Sequence, residues 1–415
     1  MIKKILVVVD SINIEDSSGS KANVVFIQNL AEAGFEVLVY HYTRMNIKLK
    51  GVSCYSIPEI KYSPLYFLSR LQRVLQRHLK VNFNPYLEGF FGFSFTFFND
   101  TKIISKALKK NIFLPDLILT LSKGASFRPH YAVLQIPEFH DKWMAYVHDP
   151  YPFHYYPRPY NWIEPGYKQK EDFFRKVSLK SSYSVFPSQL LKEWMGSYFP
   201  NFIKNGIVIP HQNGNYIIQD KSFPDYFDSS KFNILHAGNL MQERSPKGLI
   251  EGFMLFLKQN PEAKKESKLI LVGNASDHSE MLKGYGNEPE IYIYNGNIAF
   301  DVAYNLQKNV SVNVILESKS EISPFLPAKF PHCVEANKKI ISLAPYYSET
   351  RRLLGNDYPY WAEVDEVDKI AAIITSLFKL WKQNPVNFFL NREDLINYLS
   401  ADYLKRTILD LKNIN

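Results

Sequence analysis

The stretch VSVNVILESKSEISPFLPAKFPHCVEANKKIISL, from Val310 to Leu343, decides how this chain folds. Val312, Val314 and Leu316 read as a buried strand, and Ser323-Pro324-Phe325-Leu326-Pro327 as the loop it delivers. The spacing predicts a helix from Ala328 to Ala336 and a second, β-branched strand over Lys339–Leu343. Pro327 fits the first turn of that helix, where its missing N–H removes no bond. A strand that hands a loop to a helix start leaves backbone N–H groups at the carboxyl edge of a parallel sheet. Such an edge suits an anionic ligand.

Upstream of this stretch the same rhythm recurs. Phe232–Ala237, Lys268–Val272 and Glu290–Tyr294 read as strands, ending at Gly238, at Gly273-Asn274 and at Asn295-Gly296. Helices are expected over Gly248–Lys258 and Asp301–Lys308, and downstream over Tyr347–Leu354, Glu366–Lys382 and the tail. The first half follows suit. Lys3–Val9 is an apolar run without alternation, as in a parallel strand covered on both faces. A polar loop from Asp10 to Ser20 precedes a helix over Ala22–Ala33, which Gly34 stops, and Phe35–Tyr40 is the next strand. Gly19 allows close backbone approach or is a plain turn glycine. It stands alone, so the glycine fingerprint of dinucleotide binding is missing and a dehydrogenase is disfavoured.

Further strands are expected over Asp116–Leu121 and Trp143–Val147, the latter running into His148-Asp149 and an aromatic, proline-rich loop from Phe153 to Tyr160. The polar segment Gln212–Lys231 reads as a linker. The expected architecture is therefore α/β with two Rossmann-like βαβ domains.

A chain of 415 residues fits two such cores, and 46% hydrophobic with 22% charged content is that of a globular protein. The apolar run after Met1 stops at Asp10, short of the ~7–15 residues of a signal core. No run reaches the ~18 residues of a membrane span. Cys54 and Cys333 lie far apart, which points to a reducing cytosol. Net charge is +8, compatible with nucleic acid, an anionic membrane or a phosphorylated substrate. Between Glu59 and Glu88 there is no carboxylate. A helix over Leu65–Lys80 places Leu68, Leu71, Val74, Leu75 and Leu79 on one face, Arg70, Arg73, Arg77 and Lys80 on another. Two readings stand: a basic amphipathic helix on anionic lipid, or a surface helix docked on its own domain. The phenylalanines from Phe90 to Phe98 read as core or as lining against that helix.

Several runs together resemble the GT-B glycosyltransferases, and among them retaining family 4. They are Leu235-His236-Ala237-Gly238-Asn239-Leu240, Arg244, Lys247-Gly248, Leu271-Val272-Gly273-Asn274 and Ser323-Pro324-Phe325-Leu326-Pro327-Ala328-Lys329. The resemblance covers nearly all of the second half and the first half in pattern only. It rests on the order and spacing of all the runs. It implies domains facing across a cleft: residues 1–211 for the acceptor, 212–383 for a nucleotide-sugar donor, and 384–415 packing back on the first.

In family 4 an Arg directly follows the first glycine; here Asn239 stands there, and Arg244 is the substitute. Two family glutamates, with seven residues between them, fall on Pro324 and His332 when Asn337-Lys338-Lys339-Ile340 sets the alignment. Glu335 lies one turn further and faces elsewhere. One branch has a Pro-Phe-Leu-Pro-x-Lys loop with an acid at the place of His332. Either His332 bonds a ribose through a neutral ring nitrogen, or the ribose is held differently.

The resemblance gives Arg244 and Lys247 the departing diphosphate, where cations act most strongly in the transition state. Gly19, Gly238, Asn239, Gly273, Asn274, Ser323, Pro324, Phe325, Leu326, Lys329 and His332 complete the donor contacts. His148 and Asp149 match the family's cleft histidine and its neighbour, orienting acceptor or sugar rather than acting as a classical base. No cofactor and no metal is expected, since the spacing of His140, Asp141, His148, Asp149 and His154 matches no ligand set. The expected reaction is hexosyl transfer from a UDP- or GDP-sugar, with retention, to a glycan or lipid-linked acceptor in surface polysaccharide assembly. The expected place is cytoplasmic, at the inner face of the membrane, without nucleic acid. The alternatives are a silent GT-B scaffold and a nucleotide-sugar epimerase.

Overall fold

The computed structural model describes residues 2–214 and 223–413. Of the expected linker, residues 215–222 lie outside them. By compactness the chain forms two units: Met1–Tyr156 with Asn161–Gln212 and Leu399–Asn415, and Pro157–Tyr160 with Asn213–Tyr398. In this division the tail joins unit 1 at Leu399 rather than at 384.

Unit 1 holds seven parallel strands: β1 Lys4–Val9, β2 Glu36–His41, β3 Ser53–Ser56, β4 Leu117–Leu121, β5 Trp143–Tyr146, β6 Tyr183–Phe186 and β7 Gly206–Val208. Their order is β3-β2-β1-β4-β5-β6-β7. The unbroken apolar run of β1 is explained by burial on both faces. Ile5, Val7 and Val9 enter one core cluster, Leu6 and Val8 another. The helices of this unit are α1 Ser18–Glu32, α2 Pro64–Leu79, α3 Asn84–Phe91, α4 Phe95–Lys109, α5 Arg128–Leu134, α6 Tyr167–Lys180, α7 Gln189–Tyr198 and α8 Asn201–Lys204. Leu404, Ile408 and Leu411 from the tail share the core of β1 and α1.

Unit 2 holds β8 Phe232–Ala237, β9 Ser267–Gly273, β10 Ile291–Asn295, β11 Val312–Leu316, β13 Lys339–Leu343 and β15 Trp361–Ala362, ordered β10-β9-β8-β11-β13-β15 and parallel. A small pair, β12 Ile322–Ser323 and β14 Tyr347–Ser348, stands beside it. The helices of the unit are α9 Lys247–Gln259, α10 Ser279–Lys283, α11 Phe300–Asn309, α12 Phe330–Glu335, α13 Glu349–Leu354, α14 Val367–Gln383 and α15 Glu393–Tyr398; α16 Ala401–Leu409 belongs to unit 1. Phe232 and Ile234 pack on one face of the sheet and Leu235 on the other.

Three local expectations are corrected. Helix α1 opens at Ser18, not Ala22, because the Ser17 hydroxyl caps it by accepting from Ser20 N–H at 3.1 Å. Helix α12 opens at Phe330 with Pro331 in its first turn; Pro327 lies in the turn before, its carbonyl accepting from Phe330 N–H at 2.8 Å. The run Tyr347–Leu354 is split into β14 and α13, with Ser348 capping the helix at Arg351 N–H.

Candidate functional site

In each sheet the strand order reverses beside the unit's first strand, between β1 and β4 and between β8 and β11. Successive helices leave on opposite faces at such a point, so the loops part and open a crevice at the carboxyl ends.

In unit 2, Gly238 follows β8 with φ +153, where a Cβ would stand 2.9 Å from Lys329 Nζ. Gly273, ending β9, has φ +145, and a Cβ on it would overlap the Gly238 carbonyl. Both backbones need glycine. Gly238 N–H donates to Val272 O and Leu240 N–H to Asn274 O, each at 2.8 Å. The Asn239 side chain accepts from Asn274 N–H at 3.2 Å. Asn239 thus laces the first two loops together. Arg244 reaches back to donate from Nη1 to Asn239 O at 3.3 Å, while its buried Nε has no partner.

Lys329, in the turn before α12, sets Nζ 3.3 Å from His236 Nδ1 and 3.4 Å from Nε2. His236 is fully buried. Burial first, then the charges of Lys329 and Arg244, hold its ring well below the usual histidine range, so it is neutral. Burial and Arg244 bring Lys329 down to about 7. Across the reversal point, Glu317 follows β11 and is only 3% exposed. Neither of its oxygens has a hydrogen bond of normal geometry. Burial pushes its pKa up to about 7, outweighing the nearby Ser323 and Thr350 hydroxyls and Arg244. Its neighbour Glu349 is satisfied, clasped by Arg352 at 2.7 and 3.0 Å.

This cluster joins three of the expected donor residues, Gly238, Arg244 and Lys329, with two that the sequence reading missed, His236 and Glu317. Ser323 is drawn to it from β12, and Pro324 and Leu326 are buried behind. Phe325 lies edge-on to Tyr160, 6.3 Å between ring centres, and the Tyr160 hydroxyl meets Ser318 Oγ at 2.7 Å. Lys247 heads α9 but turns outward, 62% exposed, to pair with Glu251 at 3.7 Å. His332 is half-buried and lies edge-on to Phe300 and Tyr304 of α11 at 5.3 and 5.6 Å. An ionisable residue directly after a fully buried five-residue strand, Val312–Leu316, was the signal that could have found Glu317.

In unit 1 the loops after β1 and β4 meet through charge. Lys123 pairs with Asp16 at 3.3 Å. Arg128 lies 3.6 Å from Asp10 and 3.5 Å from Asp100, two buried carboxylates that burial raises. Gly19 is the second residue of α1, where a Cβ would find only ordinary contacts with Ser17 and Lys123. Its expected place in the loop is therefore corrected, and its backbone demands no glycine.

His148 N–H donates to Ser122 Oγ at 3.2 Å, and Nε2 stands 2.8 Å from Asn23 Oδ1. Asn23 donates its amide to Ser122 O at 3.0 Å, which leaves Oδ1 to accept, so His148 carries its proton on Nε2. Burial, then His211 and His130, keep the ring well below the ordinary histidine range. It is a fixed neutral group, with the His211 ring stacked 5.6 Å away. Burial lifts Asp149 to about 6. His140 is engaged elsewhere, its Nε2 at Leu134 O, and His154 lies 4.0 Å from Glu171. Among the described residues no three His, Cys, Asp or Glu side chains are grouped to share a metal ion.

No protein-family model matches the sequence, and no curated protein matches it. Solved structures do match, over the whole chain. OtsA trehalose-6-phosphate synthase aligns at a TM-score of 0.64 and 11% identity, with 99% of each chain covered. The E. coli trehalose-6-phosphate structure bound with UDP-2-fluoro glucose aligns at 0.62 and 12%, again over 99% of each. Anabaena HepE, in complex with UDP and glucose, aligns at 0.52 and 11% over 100% of this chain and 97% of the other. The chain has the GT-B fold, with two parallel-sheet units of seven and six strands.

Proposed function

We propose that the protein is a glycosyltransferase moving a hexose from a UDP- or GDP-linked donor to a glycan or lipid-linked acceptor, with retention, in cell-surface polysaccharide or glycoconjugate assembly. The observation that carries this reading is the convergence of Arg244 and Lys329 on Gly238 at the reversal point of the second sheet. A diphosphate at that edge meets two cations, and its charge draws the proton back onto Lys329. Cations placed there gain strength as the leaving group accumulates charge, which lowers the barrier. The fold shared with structures solved with UDP and with UDP-2-fluoro glucose supports the donor class.

In this reading Lys247 reaches the outer phosphate, the Ser323–Leu326 backbone borders the donor, and His332 lies toward the ribose. His148, locked by Asn23, orients a sugar or acceptor hydroxyl, and Asp149 is the titrating neighbour. Kinship with retaining family 4 belongs to the same proposal. Incubating the chain with UDP- and GDP-sugars and a lipid-linked acceptor tests it. Acceptor-dependent release of a nucleoside diphosphate is expected, and none from any donor contradicts it.

One observation favours a second reading, a catalytically silent scaffold. Aligned on the resemblance to family 4, Pro324 and His332 fall where that family carries its two glutamates. A scaffold binds no nucleoside diphosphate in calorimetry, whereas the transferase does.

A further inference from the structure

Helix α2 is amphipathic the wrong way round for a docked helix. Ser69 is its one buried residue, Leu65, Tyr66, Gln72 and Gln76 are half-buried, and of these Leu65, Ser69, Gln72 and Gln76 form one stripe. That stripe, at i, i+4, i+7 and i+11, is mostly polar and lies on the side of the helix toward the domain. Gln72 donates to Asn84 of α3 and the Ser63 hydroxyl to Asn99 of α4, so polar contacts seat the helix. The apolar face is the outer one. Phe67, Leu68, Leu71, Val74, Leu75 and Leu79 are all exposed, Phe67 to 61%. The helix is thus docked on its own domain, as one of the two readings had it, and the side that docks is the polar one rather than the leucine face.

The next helix, joined to α2 through Gln72 and Asn84, also exposes aromatic residues, Tyr86 at 76% and Phe90 at 77%. Six exposed apolar side chains along one helix face mark a binding surface. On the other flank of α2 stand Arg70, Arg73, Arg77 and the following Lys80, none of them in an ion pair among the described residues. The bordering carboxylates are already engaged, Glu59 by Arg44 at 3.4 Å and Glu88 by Lys170 at 3.3 Å.

We propose that α2 and α3 seat unit 1 on an anionic phospholipid bilayer, the leucine and aromatic face entering the headgroup boundary and the arginines lying at phosphate level. The charge pattern selects this occupant. Four uncompensated cations beside an apolar stripe, with aromatic rings on the next helix, match a surface that is anionic outside and apolar beneath. No helix among the described residues is long and apolar enough to cross a membrane, so the association is peripheral. The inference stands on unit 1 alone and needs no nucleotide, so it can fail without the donor reading failing.

Flotation of the full chain with vesicles of phosphatidylcholine containing phosphatidylglycerol tests it, against vesicles of phosphatidylcholine alone. Binding to the anionic vesicles is expected, falling at least tenfold on the neutral ones and at high salt. R70S/R73S/R77S should lose the preference for anionic vesicles, and F67S/L71S/F90S should lose binding even at low salt. Both variants change exposed side chains, and an unaltered thermal transition verifies their folding. Equal recovery of the two variants and the unmodified chain overturns the proposal. So does a lipid-free dimer that F67S/L71S/F90S abolishes while vesicle binding is absent, which assigns the face to a second copy of the chain.

Discussion

Lys329 Nζ lies almost equally far from both ring nitrogens of His236, at 3.3 and 3.4 Å, so it is an in-line donor to neither. Two basic groups this close cannot both carry charge, and burial decides that neither does at mildly alkaline pH. The lysine is held in a form that an arriving anion reverses. This relationship turns a loop glycine, a strand histidine and a helix-start lysine into one device, and it governs what substitutions should do.

Arg244→Gln should lower turnover at least tenfold, roughly the loss of one charge-assisted contact of about 1.5–3 kcal/mol. Lys247→Ala should also lower turnover at least tenfold, and less than the Arg244 change, since Lys247 is exposed and shared with Glu251. Both should leave the thermal transition in place. Steady-state rates for the two variants decide this, and unchanged turnover removes the residue concerned from the site.

Glu317→Gln should stabilise the protein at pH 8 and do little at pH 5. Folded Glu317 keeps its proton up to about 7, whereas an exposed glutamate releases it near 4.5. Between those values the folded state binds more protons, so this group's contribution to stability falls as pH rises, and the full penalty is present above about 7. Removing it is worth on the order of 1–3 kcal/mol at pH 8. Lys329 contributes in the opposite sense between about 7 and 10.5, and losing the Glu317 charge, a minor cause that raises the lysine, offsets only part of the gain. Thermal transitions at the two pH values measure the difference, and an equal effect at both contradicts the buried, protonated carboxyl.

Gly273→Ala should destabilise by about 2–3 kcal/mol, because φ +145 suits no side chain and a Cβ there meets the Gly238 carbonyl. Nucleotide affinity should fall with it, since the same overlap pushes the first loop away from Lys329. A variant that keeps both its melting temperature and its affinity refutes the claim that these two loops shape the pocket.

Asp149 should give the pH–rate profile a limb near 6, with activity falling as pH drops and the carboxylate takes its proton. Asp149→Asn should flatten that limb. His148→Gln should lower the rate and leave the limb in place, because the ring is neutral throughout and acts by position. A limb that vanishes in the histidine variant instead reverses the two roles.

Much of the fold was legible in the sequence because parallel strands buried on both faces read as plain apolar runs. Lys339–Leu343 has the expected limits, and β8, β9, β10 and β11 differ from expectation by a residue at most at either end. Helix starts were less legible. Ser17 and Pro331 rather than Ala22 and Pro327 mark them, since capping depends on which of several nearby serines or prolines the backbone presents. Gly238, Arg244 and Lys329 could be singled out, but their gathering around His236 depends on strand order, which no local pattern encodes. Glu317 was passed over because a glutamate after a strand is ordinarily solvated; only the placement of β11 beside β8 buries it. The outward apolar face of α2 was equally out of reach, because periodicity reveals two faces without saying which one meets the protein.

The central claim is that Lys329 recovers its charge when a diphosphate arrives. Calorimetric titration with UDP and with GDP at pH 8, in buffers of differing ionisation enthalpy, measures it directly. At that pH the nucleotide is fully ionised and the free lysine mostly neutral. Binding should take up close to one proton, and Lys329→Met should bind more weakly with no uptake. Binding without proton exchange, or no binding of either nucleotide, would contradict the account.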